Sequence, residues 1–134
     1  MATVRLIEYG EATAEVRAVY DDIKATRKTD DVNNFWKALA NHPPTLRRTW
    51  ESVKQVMGPG ALDVRTKEMV YLAISATNGC HYCVASHTFG ARKAGMTDAM
   101  LGELMAVVGM ANETNGLANG YQVEIDDIFR GTSA

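Results

Sequence analysis

NGCHYCVASH, residues 78–87, holds both cysteines of the chain and one of its three histidines. Asn78-Gly79 is a helix stop signal, and the residues after it start a fresh helix. Cys80 then sits at or just before the new N-terminus, and Cys83 lies in the first turn. Unpaired backbone N–H groups and the positive end of the helix dipole meet there, which favours a thiolate over a thiol. Cys80 and Cys83 are i, i+3 neighbours, close enough for a disulfide. His87 follows Cys83 at i+4 and shares its stripe. Three readings fit this grouping: a metal site, a redox pair, or inert packing. Zinc prefers four ligands, and with a single C-x-x-C pair Glu68 or His42 would have to complete the sphere.

The helix before the stop, VRTKEMVYLAISAT at 64–77, follows a capping residue, Asp63. Met69, Val70, Leu72, Ala73, Ile74 and Ala76 leave it apolar almost all round, which predicts a position at the centre of the domain. Its one interior acid, Glu68, needs a partner once buried. His87 can be that partner, giving a chain from carboxyl to imidazole to thiol, the general layout for activating a nucleophile. The alternative is an ion pair with Arg47 or Arg92. Gly90, Ala91 and Ala94 continue the cysteine stripe and let the apolar helix approach closely. Gly95 ends the cysteine helix. Thr97 caps a last long one over 97–113, with Leu101, Leu104, Met105, Val108 and Ala111 in register. The tail, residues 119–134, reads as irregular and laid over a neighbouring surface.

Toward the N-terminus, residues 11–27 place Val16, Val19, Tyr20 and Ile23 at helical spacing. A polar break follows, then FWKALA at 35–40 as one or two turns, interrupted by His42-Pro43-Pro44. Residues 45–57 form a helix with Leu46, Trp50, Val53 and Met57 on one face, ended by Gly58-Pro59-Gly60. With no hairpin or nucleotide-loop signal, the expected fold is all-α: a helical bundle of about six helices in a single domain, 1–134.

Apolar residues make up 46% of the chain, the net charge is -2 and the pI is near 5.9. No basic excess exists to hold nucleic acid, and no cationic stretch to dock on a membrane. No apolar run is long enough to span a bilayer. The opening MATVRLIEYGEATAEV lacks the pattern of a secretory signal, so a cytoplasmic protein is expected. In that compartment a C-x-x-C pair is more often metal-binding or redox-active than a permanent crosslink. No cofactor is expected.

Residues 62–98, LDVRTKEMVYLAISATNGCHYCVASHTFGARKAGMTD, resemble the carboxymuconolactone decarboxylase superfamily in its alkylhydroperoxidase D-like branch. The branch pattern is a glutamate twelve positions before C-x-x-C-x-x-x-H, then a helix ending in A-G-hydrophobic-T. Here it falls on Glu68, Cys80, Cys83, His87 and Ala94-Gly95-Met96-Thr97. FWKALANHPPTLRRTWESV is similar to the family's lead-in, so the resemblance covers roughly residues 33–115. It implies an all-helical domain that assembles into homo-oligomers (dimer, trimer or hexamer) and a thiol-dependent peroxidase or disulfide reductase. By that resemblance Cys83 attacks a hydroperoxide, Cys80 resolves the product, and Glu68 and His87 relay protons. A dithiol or a reductant protein then restores the pair.

The best-known members place a histidine immediately before the second cysteine. This chain has Tyr82 there, with His81 one position earlier and turned by about 100°. Tyrosine is a poor base at neutral pH, but it can donate a hydrogen bond, which makes Tyr82 an auxiliary candidate. Two other functions stay open: the family's lactone-acid decarboxylase, whose members generally lack the cysteine pair, and a non-enzymatic redox-sensing oligomer.

Overall fold

The helices begin and end where short polar side chains and left-handed residues place them. The structure is a computed structural model, and it describes residues 1–131. The expectation for residues 132–134 lies outside the described residues. The described residues are all-helical, as expected: seven α-helices, one 3₁₀ turn and no strand. They fall into two compact units, one ending at Gly58 and the other beginning at Pro59.

The first unit contains α1 (Ala14–Arg27), α2 (Asn34–Leu39) and α3 (Pro43–Met57). Thr13 caps α1. His42, held extended ahead of the two prolines, caps α3 by accepting the Thr45 N–H on its ring. Val16, Val19, Tyr20 and Ile23 of α1 pack with Trp36, Leu46 and Trp50. The two indoles meet edge to face with centroids 5.4 Å apart. The Tyr20 hydroxyl donates to the Ile7 carbonyl at 2.8 Å, and burial pushes its pKa from 10.0 to about 12. Asp22 accepts hydrogen bonds from Lys54 and from Trp50 Nε1, which hold its carboxyl below the ordinary value. Lys37 is buried and paired with Glu8 at 2.9 Å and Asp31 at 3.0 Å, which hold its ammonium charged.

The second unit contains α4 (Val64–Thr77), α5 (His81–Lys93), α6 (Asp98–Gly120) and α7 (Asp127–Arg130). Asp63 caps α4 by accepting the Thr66 N–H at 2.8 Å, and Thr97 caps α6 through the Met100 N–H at 3.1 Å. Glycines end α4 and α5. Gly79 (φ 70°) and Gly95 (φ 99°) occupy the left-handed position that a Cβ would disfavour. The next residue's N–H then reaches back to an otherwise orphan carbonyl, Cys80 to Ser75 at 3.0 Å and Met96 to Ala91 at 2.9 Å. The sharp turn at Gly79 folds α5 back along α4, its most extensive neighbour. Leu72, Ala91 and Met96 form the buried centre, flanked by Met69, Val84, Leu101, Leu104 and Met105.

Two expectations change. Helix α4 is not covered all round: Val70 and Ile74, one turn apart, remain 49% and 55% exposed. Its neighbours α5 and α6 pack along the opposite side, through Leu72. Helix α6 also runs seven residues past the expected end at Glu113. Asn115-Gly116 does not stop it. The stop falls at Gln122, which adopts the left-handed conformation (φ 49°) while the Val123 N–H returns to the Ala118 carbonyl. All residues from 112 to 131 are exposed, including Leu117, Tyr121, Ile125, Ile128 and Phe129. No helix among the described residues is long and apolar enough to cross a membrane.

Candidate active site

The contact between α4 and α5 brings the sequence-selected residues of the motif onto facing surfaces. On α5, Cys83, His87 and Gly90 follow one another at i+4 and i+3, so they form one stripe. On α4, Glu68 and Tyr71 stand three apart and face that stripe. A carboxylate can approach here because position 90 has no side chain. A Cβ built on Gly90 would lie 2.8 Å from both Cδ and Oε2 of Glu68. Only glycine leaves that space.

Glu68 Oε2 lies 2.7 Å from His87 Nδ1. The two side chains are 18% and 16% exposed, so the pair is largely screened from water. The arginines considered as alternative partners are engaged elsewhere, Arg47 with Glu15 and Arg92 with Asp98. A carboxylate only accepts, so the contact places the proton of a neutral imidazole on Nδ1. Nε2 is then the basic nitrogen.

Cys80 and Cys83 are joined as a disulfide, with Cα atoms 5.3 Å apart. Cys80 is also the cap of α5, since its sulfur accepts the Cys83 N–H at 3.3 Å. The disulfide therefore sits at the N-terminus of α5, where the stop at Asn78-Gly79 placed it. His81 and Tyr82 lie on the same turn, both exposed. His42, the other ligand considered for zinc, caps α3. Among the described residues no group of three or more His, Cys, Asp or Glu side chains is arranged to hold a metal ion.

Sequence reasoning missed one side chain. The Tyr71 ring stacks on the His87 imidazole, with centroids 3.5 Å apart and planes 18° from parallel. The signal that would have found it is its spacing, one helical turn after Glu68. Its carbonyl accepts the hydroxyl of buried Ser75 at 2.8 Å.

Comparison with known proteins agrees with this arrangement. The crystal structure of the alkylhydroperoxidase AhpD core from Rhodospirillum rubrum superimposes with a TM-score of 0.92 at 53% sequence identity, covering 96% of this chain and 97% of that one. Among curated proteins, uncharacterized protein 4 in cox locus of Paracoccus denitrificans is 37% identical over 54 residues, which are 40% of this chain and 49% of that protein. The (R)-2-haloacid dehalogenase of Pseudomonas putida is 25% identical over 105 residues, 78% of this chain and 35% of the enzyme. An uncharacterized protein of Cupriavidus necator is 31% identical over 87 residues, 64% of this chain and 75% of that protein. The chain thus spans about half of the first of these relatives and about a third of the second. The model of the carboxymuconolactone decarboxylase family matches residues 43–123, and with an AhpD-core fold around its cysteine pair the chain belongs to that family.

Proposed function

We propose that the chain is a thiol-dependent peroxidase or disulfide reductase, with Cys83 as nucleophile, Cys80 as resolving thiol, and Glu68 and His87 as proton relay. The observation that carries this reading is a carboxylate-anchored imidazole on α5, one helical turn along from a bonded sulfur pair. The likeness to the AhpD core supports it. In the reduced protein, His87 Nε2 accepts the Cys83 proton. The thiolate attacks the terminal oxygen of a hydroperoxide, the O–O bond breaks, and sulfur becomes a sulfenic acid. The departing alkoxide takes the proton from His87 and leaves as an alcohol, with Tyr82 as an auxiliary hydrogen-bond donor. The Cys80 thiol condenses with the sulfenic acid, so an S–S bond forms, the S–O bond breaks and water leaves. A dithiol or reductant protein restores both thiols by exchange and departs as its own disulfide.

The reading sets the protein in the cytoplasm, where such reductants are kept reduced. It also makes it a homo-oligomer, a state supported by the exposed apolar positions Val70, Ile74, Val107, Met110 and Leu117. Thiol counting on the reduced protein with stoichiometric hydroperoxide tests the chemistry. Wild type loses both thiols, Cys83→Ser keeps its remaining one, and Cys80→Ser yields a sulfenic acid that dimedone traps. Thiols that survive the oxidant refute the proposal. A lactone-acid decarboxylase is the second reading, favoured by the family model itself. It requires activity that persists when both cysteines are serine. A sensor without turnover forms the disulfide yet consumes no dithiol.

A further inference from the structure

Two restraints act on the His87 ring from one turn of α4. Glu68 binds Nδ1 at 2.7 Å, and the Tyr71 ring stacks on the face with centroids 3.5 Å apart. A single hydrogen bond fixes one atom of an imidazole but leaves the ring free to swing and tilt about it. A stacked aromatic removes that freedom, and the two together set the direction in which Nε2 points. Tyr71 is itself anchored, because its helix turn is tied by the Ser75 hydroxyl and backed by Leu72, which is fully buried.

We infer that Tyr71 is a positioning residue that holds the His87 imidazole in register for proton transfer, acting through its ring face and not its hydroxyl. The inference rests on the peroxidase reading only for its kinetic readout. The expected behaviour is therefore split by chemistry: Tyr71→Phe keeps the face, and Tyr71→Leu removes it at similar volume. With hydroperoxide and excess dithiol, Tyr71→Leu lowers kcat roughly tenfold or more while KM stays within twofold, since substrate contacts are untouched. Tyr71→Phe restores kcat to within twofold of wild type.

NMR of the imidazole provides a second readout that needs no turnover. In wild type and Tyr71→Phe the His87 ring protons are shifted upfield by the stacked ring and show contacts to it, with one tautomer carrying the proton on Nδ1. In Tyr71→Leu the upfield shift and the ring contacts disappear while Glu68 keeps the proton on Nδ1. Turnover absent from wild type, with these ring signatures present, refutes the peroxidase reading and leaves the positioning role standing. An unshifted His87 ring in wild type overturns the role even if Tyr71→Leu does not fold. So does a Tyr71→Leu variant with wild-type kcat, or a Tyr71→Phe variant as impaired as Tyr71→Leu.

Discussion

Replacing Gly90 by alanine separates the fold from the chemistry. The added Cβ would stand 2.8 Å from Glu68 Cδ and Oε2, so the carboxyl has to retreat by about 0.6 Å to reach ordinary contact at 3.4 Å. The group in the way is the end of a flexible side chain and not backbone, so α5 itself has no need to move. Alanine also favours an interior helical position by about 1 kcal/mol over glycine. Against this, the retreat stretches or breaks the 2.7 Å bond to His87, a charge-assisted contact worth about 1.5–3 kcal/mol. The net loss is about 0.5–2 kcal/mol, so the melting temperature falls by a few degrees. Activity has no such compensation. An imidazole without its carboxylate loses both tautomer and orientation, and turnover of hydroperoxide falls roughly tenfold to hundredfold. Glu68→Gln falls by a similar factor, and the double variant is no worse than either single one, because both changes remove the same contact. Thermal melts and steady-state turnover on the three variants provide the check. A Gly90→Ala protein with full turnover, or a double variant with additive losses, refutes the reasoning.

Tyr20 predicts an alkaline transition. The fold favours its protonated form, so its contribution is intact below the unfolded value of 10.0 and is lost as pH rises to about 12. The loss is about 3 kcal/mol across that window. Urea melts between these pH values show it in wild type and show a flatter profile in Tyr20→Phe. Gly79→Ala forces a Cβ into a left-handed residue (φ 70°) and costs about 1–2 kcal/mol. It also slows thiol oxidation by displacing the start of α5, read by denaturant midpoint and by thiol counting in parallel. Leu72→Ala empties the centre of the second unit, where Leu72 is fully buried. The expected loss is about 2–5 kcal/mol by chemical denaturation.

Most helix boundaries could be read before the coordinates because their causes are local. Asp63 and Thr97 are short acceptors placed three residues before the N–H groups they satisfy. Gly79 and Gly95 stand where only a left-handed residue ends the turn cheaply. The contact of Glu68 with His87 was legible for the same reason: a buried acid needs a partner, and the spacing of α5 offers one. The missed features have causes that spacing does not carry. Periodicity says which residues share a face, not what covers it, so the apolar circumference of α4 was read as burial while Val70 and Ile74 lie open. The end of α6 is set by a left-handed glutamine, a residue type that gives no warning. Tyr71 looked like one more large residue on an apolar helix. Its role depends on the ring opposite, which belongs to another element.

The sulfur bond spans only three positions of sequence. Tying so small a ring removes little freedom from the unfolded chain, about 2 kcal/mol against nearly 5 kcal/mol for a loop of a hundred residues. Making and breaking it therefore shifts the balance between native and denatured chain by less than half of what a long-range crosslink would. Reduction frees both sulfurs at the tip of one helix and leaves every other tie of the scaffold in place. Reduced protein should melt below oxidised protein by several degrees and no more.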